Sequence, residues 1–467
     1  MTNEKYYLGI DLGTSSAKAI ARRSDGRICK AKRAYAGEDV RAWREAVKGL
    51  IADLAGDLDG EIAAVALSSQ VGTYVIDEKE VLSWQSSVGR AELDEIRETI
   101  SAERFLGEIG MHHPDLISYP LPRLLHIMRR WGSAVEVLMP KEILLRDLTG
   151  ITATDVFSMR GLAHPQTGSY AHGLLKELGI DITLPSIGYP TAEAGGVTEA
   201  ASAAYGLPVG IPVYLGCNDF FAGLLGMGIC HIGDAFDLSG TSEHLGYISN
   251  EINPRGFVSG GYFVGNCTYG GTKSSGASCD LAIRELGVTD ADALRVLAKH
   301  PPVFLPYLCG ERAPIFDEHA RGVYFGLDQH TNRESLAYAA LEGVVFSLYD
   351  IARSMEMPKP RTLICGGGSA KNPLMNRLRA TLFDCEVAVA AESDASALGA
   401  CMIAMTGAGV YQSLPEAISD VVTFADRVSP DPRLAEMLRQ RFSIYKDVYG
   451  GVKDIFKKFN QLKEIEA

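Results

Sequence analysis

Residues 6–20 read YYLGIDLGTSSAKAI, a hydrophobic run that carries one aspartate, Asp11, shortly before Gly13, Thr14 and Ser15. A carboxylate at the end of a buried strand is costly unless nearby groups compensate its charge. A hairpin turn in which Asp11 caps local amides would explain the pattern. A phosphate-binding turn would explain it too, because backbone N–H groups and hydroxyls crowd together there and the carboxylate could serve a divalent metal.

A second stretch repeats this pattern about half a chain length later. Residues 233–248 read GDAFDLSGTSEHLGYI, again an apolar strand, an Asp-Leu pair and a Gly-Thr-Ser turn before another apolar strand. Self-similarity at this spacing predicts two related domains, each presenting a Gly-Thr-Ser turn to a shared cleft. The repetition therefore favours phosphate binding over a simple hairpin turn.

A third glycine-rich element lies in residues 362–383, TLICGGGSAKNPLMNRLRATLF. Its pattern predicts a strand, a turn of three glycines and an amphipathic helix. The glycines would let the backbone approach a flat or anionic ligand at the helix N-terminus, although a tight strand-to-helix turn needs the same residues. The spacing matches neither the Gly-x-Gly-x-x-Gly dinucleotide fingerprint nor the Gly-x-x-x-x-Gly-Lys-Ser/Thr P-loop.

The composition indicates an ordinary globular enzyme. The 467 residues carry a formal net charge of −13, which argues against a nucleic-acid partner. No uninterrupted apolar stretch approaches the ~18 residues of a membrane span, and no signal sequence is apparent. The nine cysteines are scattered without a Cys-x-x-Cys pair. We therefore expect a cytoplasmic protein with reduced thiols and without a nucleic-acid or membrane partner.

The order of predicted elements is that of an α/β protein. Residues 40–57 have helical spacing and follow predicted strands, and residues 62–70 form a short apolar run that ends in polar residues. Residues 212–228, PVYLGCNDFFAGLLGMG, predict a strand that breaks at Gly216 into a helix rich in small residues.

In this order the motifs resemble those of the FGGY carbohydrate kinases, which belong to the actin-like ATPase superfamily. The resemblance runs through nearly the whole chain and is most specific in residues 304–327, FLPYLCGERAPIFDEHARGVYFGL. It implies an α/β fold of two actin-like (ribonuclease H-like) domains, each a mixed β-sheet flanked by helices, with a catalytic cleft between them. We expect an N-terminal domain over residues 1–231 and a C-terminal, nucleotide-binding domain over residues 232–467.

The resemblance also implies ATP and Mg²⁺ and assigns roles by position. Asp219 would be the general base and, together with Asp11, a metal ligand. The residues that would bind the nucleotide are Gly13, Thr14, Ser15, Gly240, Thr241, Ser275, Gly276, Gly367, Gly368 and Asn372. The chemistry supports Asp219 independently, because a carboxylate that accepts the proton of a hydroxyl also orients it for in-line transfer. Capping the next helix is the structural alternative for Asp219, and Asn218 could cap it equally well.

The sugar-binding end departs from the family pattern. Glycerol kinases follow the equivalent of Gln70 with Arg-Glu and xylulokinases with Met-His, whereas Val-Gly follows here. Many relatives then carry Trp-x-Asp-x-Arg, but residues 84–90 read WQSSVGR. We expect Gln70 and Asp219 to contact the substrate, and Trp84 either to stack on it or to pack in the core. The missing carboxylate leaves ketoses such as pentuloses, polyols and sugar acids as candidate substrates.

The leading hypothesis is an ATP- and Mg²⁺-dependent kinase that phosphorylates a hydroxyl of a small carbohydrate, with domain closure excluding water. A nucleotide-gated binding protein of the same superfamily and a catalytically degenerate family member are the alternatives. The C-terminal residues 446–467 have the spacing of a charged amphipathic helix, which we expect to pack on the fold or to mediate a homodimer.

Overall fold

The computed structural model describes residues 4–113, 115–240, 242–288 and 301–465. The chain divides into two compact units: unit 1 comprises Met1–Cys230, Gly260–Asn266 and Asp394–Val422, and unit 2 comprises His231–Ser259, Cys267–Ser393 and Thr423–Ala467. Two segments from the second half of the chain thus belong to unit 1. The division into residues 1–231 and 232–467 remains a proposal about the functional domains.

The strands pair into two large sheets and several small ones. Numbered in chain order, they are β1 (Lys5–Leu12), β2 (Ser16–Arg23), β3 (Ile28–Ala34), β4 (Glu61–Ser69), β5 (Tyr74–Ile76), β6 (Glu80–Leu82), β7 (Val137–Leu138), β8 (Ala153–Asp155), β9 (Ala163–His164), β10 (Ser169–Tyr170), β11 (Ser186–Gly188), β12 (Glu193–Gly196), β13 (Pro212–Asn218), β14 (Ala235–Ser239), β15 (Glu243–Ser249), β16 (Val258–Gly261), β17 (Asn266–Thr272), β18 (Val303–Leu305), β19 (Val323–Phe325), β20 (Thr362–Gly367), β21 (Glu386–Ala390) and β22 (Phe424–Val428).

The helices differ widely in length, and the longest is the last. Numbered in the same way, the α-helices are α1 (Val40–Asp57), α2 (Arg90–Thr99), α3 (Ala102–Ile109), α4 (Pro120–Trp131), α5 (Pro140–Thr149), α6 (His172–Glu177), α7 (Glu199–Tyr205), α8 (Asp219–Met227), α9 (Gly276–Asp280), α10 (Arg333–Ser354), α11 (Pro373–Phe383), α12 (Ala395–Gly407), α13 (Leu414–Val421) and α14 (Pro432–Ile465). A π-helical turn, Leu281–Glu285, follows α9, and a 3-10 turn, Ser369–Lys371, precedes α11.

Unit 1 is built on a six-stranded sheet in the order β12-β13-β4-β1-β2-β3. Strand β1 forms an antiparallel hairpin with β2 and pairs in parallel with β4. Helix α12 covers one face so closely that a Cβ on Gly9 would lie 2.2 Å from the Ala397 carbonyl oxygen. This close approach explains why glycine stands in the middle of β1, where its conformational freedom is otherwise unfavourable.

The predicted helix over residues 40–57 is confirmed as α1. Asp39 caps it, because its carboxylate accepts a hydrogen bond of 2.8 Å from the Ala42 N–H. Trp43, Val47 and Leu50 recur at helical spacing and are buried in the core of unit 1. Burial of this apolar stripe, rather than helix propensity alone, stabilises α1 on the sheet.

Unit 2 repeats the same arrangement in a seven-stranded sheet, β16-β17-β15-β14-β20-β21-β22. Strands β14 and β15 form an antiparallel hairpin, and β14 pairs in parallel with β20. Asp11 and Asp237 therefore stand near the end of equivalent central strands, and the predicted internal repeat is confirmed. The predicted strand, glycine turn and helix over residues 362–383 are confirmed as β20, the 3-10 turn and α11.

Helix α10 forms much of the core of unit 2. Within the described residues it is the one helix long and apolar enough to cross a membrane, but 89% of its most apolar window is buried in the protein. Val344, Leu348 and Ile351 lie in the same hydrophobic cluster as Leu363 of β20. The length and composition of α10 are therefore those of a core helix.

Candidate active site

Asp11 lies near the C-terminal end of β1, opposite Ser68 on the parallel strand β4. Its side chain is 5% exposed, and one carboxylate oxygen accepts a hydrogen bond of 2.8 Å from the Ser68 hydroxyl. Burial raises the pKa of Asp11, and the Ser68 bond and the charge of Lys18 oppose that rise. The first aspartate of the repeat is thus a buried carboxylate whose charge the protein compensates only in part.

The charge of Lys18 is shared with a second carboxylate. Lys18 stands opposite Asp11 on β2, and its ammonium group lies 3.0 Å from a carboxylate oxygen of Asp394, directly before α12. Asp394 in turn raises the pKa of Asp11. The sequence carries no signal that would have joined Asp394 to this group, because it lies almost the whole chain away.

The turn after Asp11 presents polar groups at its tip. The Gly13 N–H donates to the Ser16 carbonyl oxygen at 3.1 Å and closes the turn. The Tyr35 hydroxyl donates to the Gly13 carbonyl oxygen, and the Tyr35 N–H donates to the Ser15 carbonyl oxygen at 3.1 Å. Thr14 is partly exposed and Ser15 is exposed. Their hydroxyls and amides can therefore donate hydrogen bonds to an anionic ligand.

Asp219 is the first residue of α8, and it is not the residue that caps this helix. The Asn218 side-chain oxygen accepts a hydrogen bond of 2.9 Å from the Phe221 N–H, so the capping alternative for Asp219 is wrong.

The sequence predicts that strand β13 breaks at Gly216, but the strand continues to Asn218. Gly216 adopts a φ of +66°, and a Cβ there would lie 1.7 Å from the Leu67 carbonyl oxygen.

The Asp219 carboxylate is half-buried and unusually basic. It accepts a hydrogen bond of 2.8 Å from the Phe220 N–H and another from the Val71 N–H. Burial, followed by the negative charge of Asp11, raises the pKa of Asp219 to about 7, although these N–H groups oppose the rise. A carboxylate with this pKa can accept a proton near neutral pH.

The negative charge of Asp11 acts on Asp219, and both residues belong to unit 1. Both charges, after burial itself, raise the pKa of Tyr35, whose hydroxyl lies at the Gly13 turn. Within the described residues no group of three or more His, Cys, Asp or Glu side chains could hold a metal ion. Two carboxylates suit Mg²⁺ nevertheless, because Mg²⁺ commonly binds one or two carboxylates and completes its shell with phosphate oxygens and water.

The predicted sugar-binding residues Gln70 and Trp84 belong to the same unit as Asp219. Gln70 is only 2% exposed, yet among the described residues neither of its side-chain amide atoms has a hydrogen-bond partner. Val71, whose N–H donates to Asp219, exposes 40% of its surface. Trp84 donates its indole N–H to the Thr14 hydroxyl at 3.2 Å. A buried, unsatisfied amide beside a basic carboxylate is typical of a site that binds a polar ligand.

The second hairpin, in unit 2, uses its aspartate differently. Asp237 lies 2.6 Å from Arg379 of α11, and Arg379 also lies 2.6 Å from Glu243 of β15. All three side chains are fully buried. The Gly240 N–H donates to the Ser242 carbonyl oxygen at 2.7 Å, whereas Thr241 lies outside the described residues. The sequence analysis missed this buried ion cluster.

The predicted adenosine residues Ser275, Gly276 and Asn372 lie at the starts of helices in unit 2. Ser275, buried before α9, forms a side-chain hydrogen bond with Glu243, and Gly276 is the first residue of α9. Asn372 caps α11 by accepting a hydrogen bond from the Met375 N–H at 3.0 Å. All three residues belong to unit 2, and of the three it is Ser275 that bonds Glu243.

The last two glycines of the turn before α11, Gly367 and Gly368, have different surroundings. Gly367 adopts a φ of +84°, and a Cβ there would lie 1.8 Å from the Ser239 carbonyl oxygen. At Gly368 a Cβ would meet nothing within 4 Å. Gly367 is thus explained by the close approach of two strands, and Gly368 is the position where a ligand could use the space.

Fold and site together define a carbohydrate kinase, and comparison with family models supports the same conclusion. The N-terminal domain model of the FGGY family of carbohydrate kinases matches residues 6–226, and the C-terminal domain model matches residues 273–408. The chain belongs to the FGGY family of carbohydrate kinases and has its actin-like fold of two domains. Kinases of this family use ATP as co-substrate.

Similar proteins act on more than one carbohydrate. A xylulose kinase of Lactococcus lactis is 27% identical over 96% of this chain and 97% of its own, and a gluconokinase of Bacillus subtilis is 24% identical over 94% of each. Among solved structures, a xylulose kinase from Lactobacillus acidophilus has a TM-score of 0.86 at 25% identity, covering 97% of this chain and all of that one. A gluconate kinase from Lactobacillus acidophilus has a TM-score of 0.85 at 25% identity, covering 98% and 100%.

Proposed function

We propose that this kinase transfers the γ-phosphoryl group of Mg-ATP to a hydroxyl of a small carbohydrate, with Asp219 as general base. The candidate substrates are ketoses such as pentuloses, polyols and sugar acids. The similar proteins are named for xylulose and for gluconate at nearly equal identity, so they support the class and not one member of it.

The observation that carries this proposal is the state of the Asp219 carboxylate. It is not used to cap α8, it is held by two backbone N–H groups, and its pKa is raised to about 7, first by burial and then by Asp11. A carbohydrate hydroxyl is a weak nucleophile, and a carboxylate that accepts its proton late in the reaction also holds its oxygen in line with the phosphorus. Gln70, buried beside it with both amide atoms unsatisfied, would donate to and accept from substrate hydroxyls.

The magnesium ion would be held by Asp11 and Asp219, directly or through water. When bound, Mg²⁺ neutralises the charge that develops on the phosphate oxygens. The carboxylates fit this role because Asp11 is buried with partial compensation and its negative charge raises the pKa of Asp219. We assign the Gly13, Thr14 and Ser15 turn and the Gly240 and Thr241 turn to the phosphates of ATP.

The adenosine end of ATP is assigned to unit 2. The proposed contacts are Ser275, Gly276, Gly367, Gly368 and Asn372. The open space at Gly368 and the hydrogen bond from Ser275 to Glu243 support this assignment. We also propose a cytoplasmic location, which the state of the nine cysteines as thiols supports.

The substrate test is the release of ADP with a panel of pentuloses, hexuloses, polyols and aldonic acids. Val71 and Gly72 offer no charged group to a substrate hydroxyl, and an unpaired hydroxyl costs ~1–3 kcal/mol. We therefore expect poor activity on glycerol and at best mediocre activity on D-xylulose compared with another member of the panel. A kcat/KM of ~10⁵ M⁻¹s⁻¹ or more on glycerol or D-xylulose would contradict this expectation. No ADP release with any member would contradict the proposed substrate class.

A further inference from the structure

Trp84 is connected to the phosphate turn through the edge of its ring. Its indole N–H donates to the Thr14 hydroxyl at 3.2 Å, and both side chains are partly buried. A residue that only stacks on a sugar uses the face of its ring and can leave its N–H in water. Here the N–H has a defined acceptor in the turn that we assign to the phosphates of ATP.

The segment that carries Trp84 is itself held in place. The Trp84 backbone N–H donates to the Thr73 hydroxyl at 3.1 Å. Two residues further on, the Ser86 carbonyl oxygen accepts a hydrogen bond of 2.8 Å from Arg123 of α4, whose side chain is fully buried. These contacts, one at Trp84 itself and one two residues after it, restrict the backbone of the segment, so the ring reaches Thr14 from a fixed direction.

The bond from Trp84 determines what the Thr14 hydroxyl can still do. A threonine hydroxyl has one O–H donor and two acceptor lone pairs. The indole N–H occupies an acceptor position, and in the described part of the chain no acceptor is within hydrogen-bond distance of the Thr14 O–H. The O–H is therefore turned away from the ring and is available to donate to an anion at the tip of the turn.

We propose that Trp84 is a positioning residue for phosphoryl transfer, because its indole N–H orients the Thr14 hydroxyl toward the transferred phosphate. This inference rests on the proposed function, in which Thr14 faces that phosphate. This positioning role of Trp84 differs from a stacking role, because the positioning depends on one N–H group and not on the area of the ring. It also links residues 84–90, where the chain departs from its relatives, to the phosphate turn.

The test compares variants that separate the N–H group from the ring. Trp84→Phe keeps an aromatic face and removes the N–H, and 3-benzothienylalanine at position 84 keeps the shape of tryptophan with sulfur in place of N–H. With the best carbohydrate of the panel, we expect each to lower kcat about three- to tenfold, the effect of one hydrogen bond, with the carbohydrate KM within about twofold. Trp131→Phe, at a half-buried position on α4, is the matched control and should leave kcat unchanged.

A double-mutant cycle with Thr14→Ala completes the test. If Trp84 acts through the Thr14 hydroxyl, removing its N–H in the Thr14→Ala background should cause no further loss of kcat. Full additivity, or a raised carbohydrate KM with unchanged kcat in the benzothienyl variant, would overturn the inference. Wild-type kcat in Thr14→Ala alone would instead overturn the assignment of the phosphate turn in the proposed function. The benzothienyl variant decides the outcome if Trp84→Phe does not fold.

Discussion

The hairpin β1–β2 of unit 1 and the hairpin β14–β15 of unit 2 have the same strand pairing, but their aspartates have different partners. In each unit the first hairpin strand pairs in parallel with the next central strand, β4 or β20. Asp11 accepts a hydrogen bond from a neutral serine, whereas Asp237 lies 2.6 Å from the buried Arg379. The same repeat thus yields one buried carboxylate bonded to a neutral serine and one bonded within a buried ion cluster.

The difference lies in what neutralises each charge. Arg379 lies between Asp237 and Glu243, so two acids share one cation in a fully buried cluster. Burial and the neighbouring Glu243 raise the pKa of Asp237. Near Asp11, by contrast, the cation Lys18 already pairs with Asp394. A buried carboxylate without its own cation favours binding of a metal ion, whereas one with an arginine favours a fixed structure.

The largest effect should come from Asp219, the proposed general base. We expect Asp219→Asn to lower kcat by on the order of 10²–10⁴, the usual range for loss of a general base. Its ATP-induced rise in melting temperature should remain, because the fold and the nucleotide contacts are unchanged. Asp181→Asn, an exposed position in unit 1, is the matched control. Near wild-type turnover in Asp219→Asn would rule out the base.

The second prediction tests the structural role of the cluster in unit 2. Arg379→Met should lower the free energy of unfolding by about 3–5 kcal/mol, since it leaves two buried carboxylates without their cation. Arg377→Met on the same helix removes a partly exposed ion pair with Asp431 and should cost about 1 kcal/mol or less. Denaturant unfolding of both variants measures the contrast. Equal losses would mean that the buried cluster is not the element that stabilises unit 2.

The third prediction separates the two glycines beside β14. Gly368→Leu should abolish the rise in melting temperature caused by ATP, a loss of about 2.7 kcal/mol of stabilisation at 100 times the dissociation constant. Without ATP it should melt like the wild type, because a Cβ there would meet nothing within 4 Å. Gly367→Leu should destabilise the protein itself, since it would clash with Ser239. An undiminished ATP effect in Gly368→Leu would exclude this turn as a nucleotide site.

The fourth prediction concerns pH. Because the pKa of Asp219 is raised to about 7, kcat/KM should rise with pH through about 7 as the base loses its proton. The folded state favours the protonated form, so stability should fall between about pH 4 and 7 as the unfolded chain loses the proton first. Asp219→Asn lacks this penalty and should be more stable than wild type above pH 7, with a difference that shrinks toward pH 4. A constant difference across this range would contradict the raised pKa.

The sequence predicted the repeat and the elements around it because both depend on local patterns. Hydrophobic spacing located α1, β4 and the glycine turn before α11, and adjacent residues carried the Asp-Leu and Gly-Thr-Ser motifs. The contacts that distinguish the two hairpins could not be predicted this way. Arg379 reaches Asp237 from a helix far along the chain, and Asp394 reaches Lys18 from even further. Side chains brought together only by the tertiary fold leave no periodic signal.

One alternative that the sequence left open and one local prediction that went wrong share a related reason. The sequence could not decide between Asn218 and Asp219 as the helix cap, and the orientation of β13 gives that role to Asn218. It also took Gly216 as the end of a strand. The contact with Leu67 on the neighbouring strand β4 shows that glycine is needed within the strand. Each case depends on a partner that local propensity does not specify.

The most direct test of the contrast between the two aspartates is the ATP-induced rise in melting temperature, measured with and without Mg²⁺. We expect the wild type to show an additional rise with Mg²⁺ and Asp11→Asn to lose that addition while keeping the rise caused by ATP alone. Asp237→Asn should melt at a lower temperature without ligand, because Arg379 loses a partner, yet it should keep the Mg²⁺-dependent addition. The opposite pattern, with the addition kept in Asp11→Asn and lost in Asp237→Asn, would contradict the account.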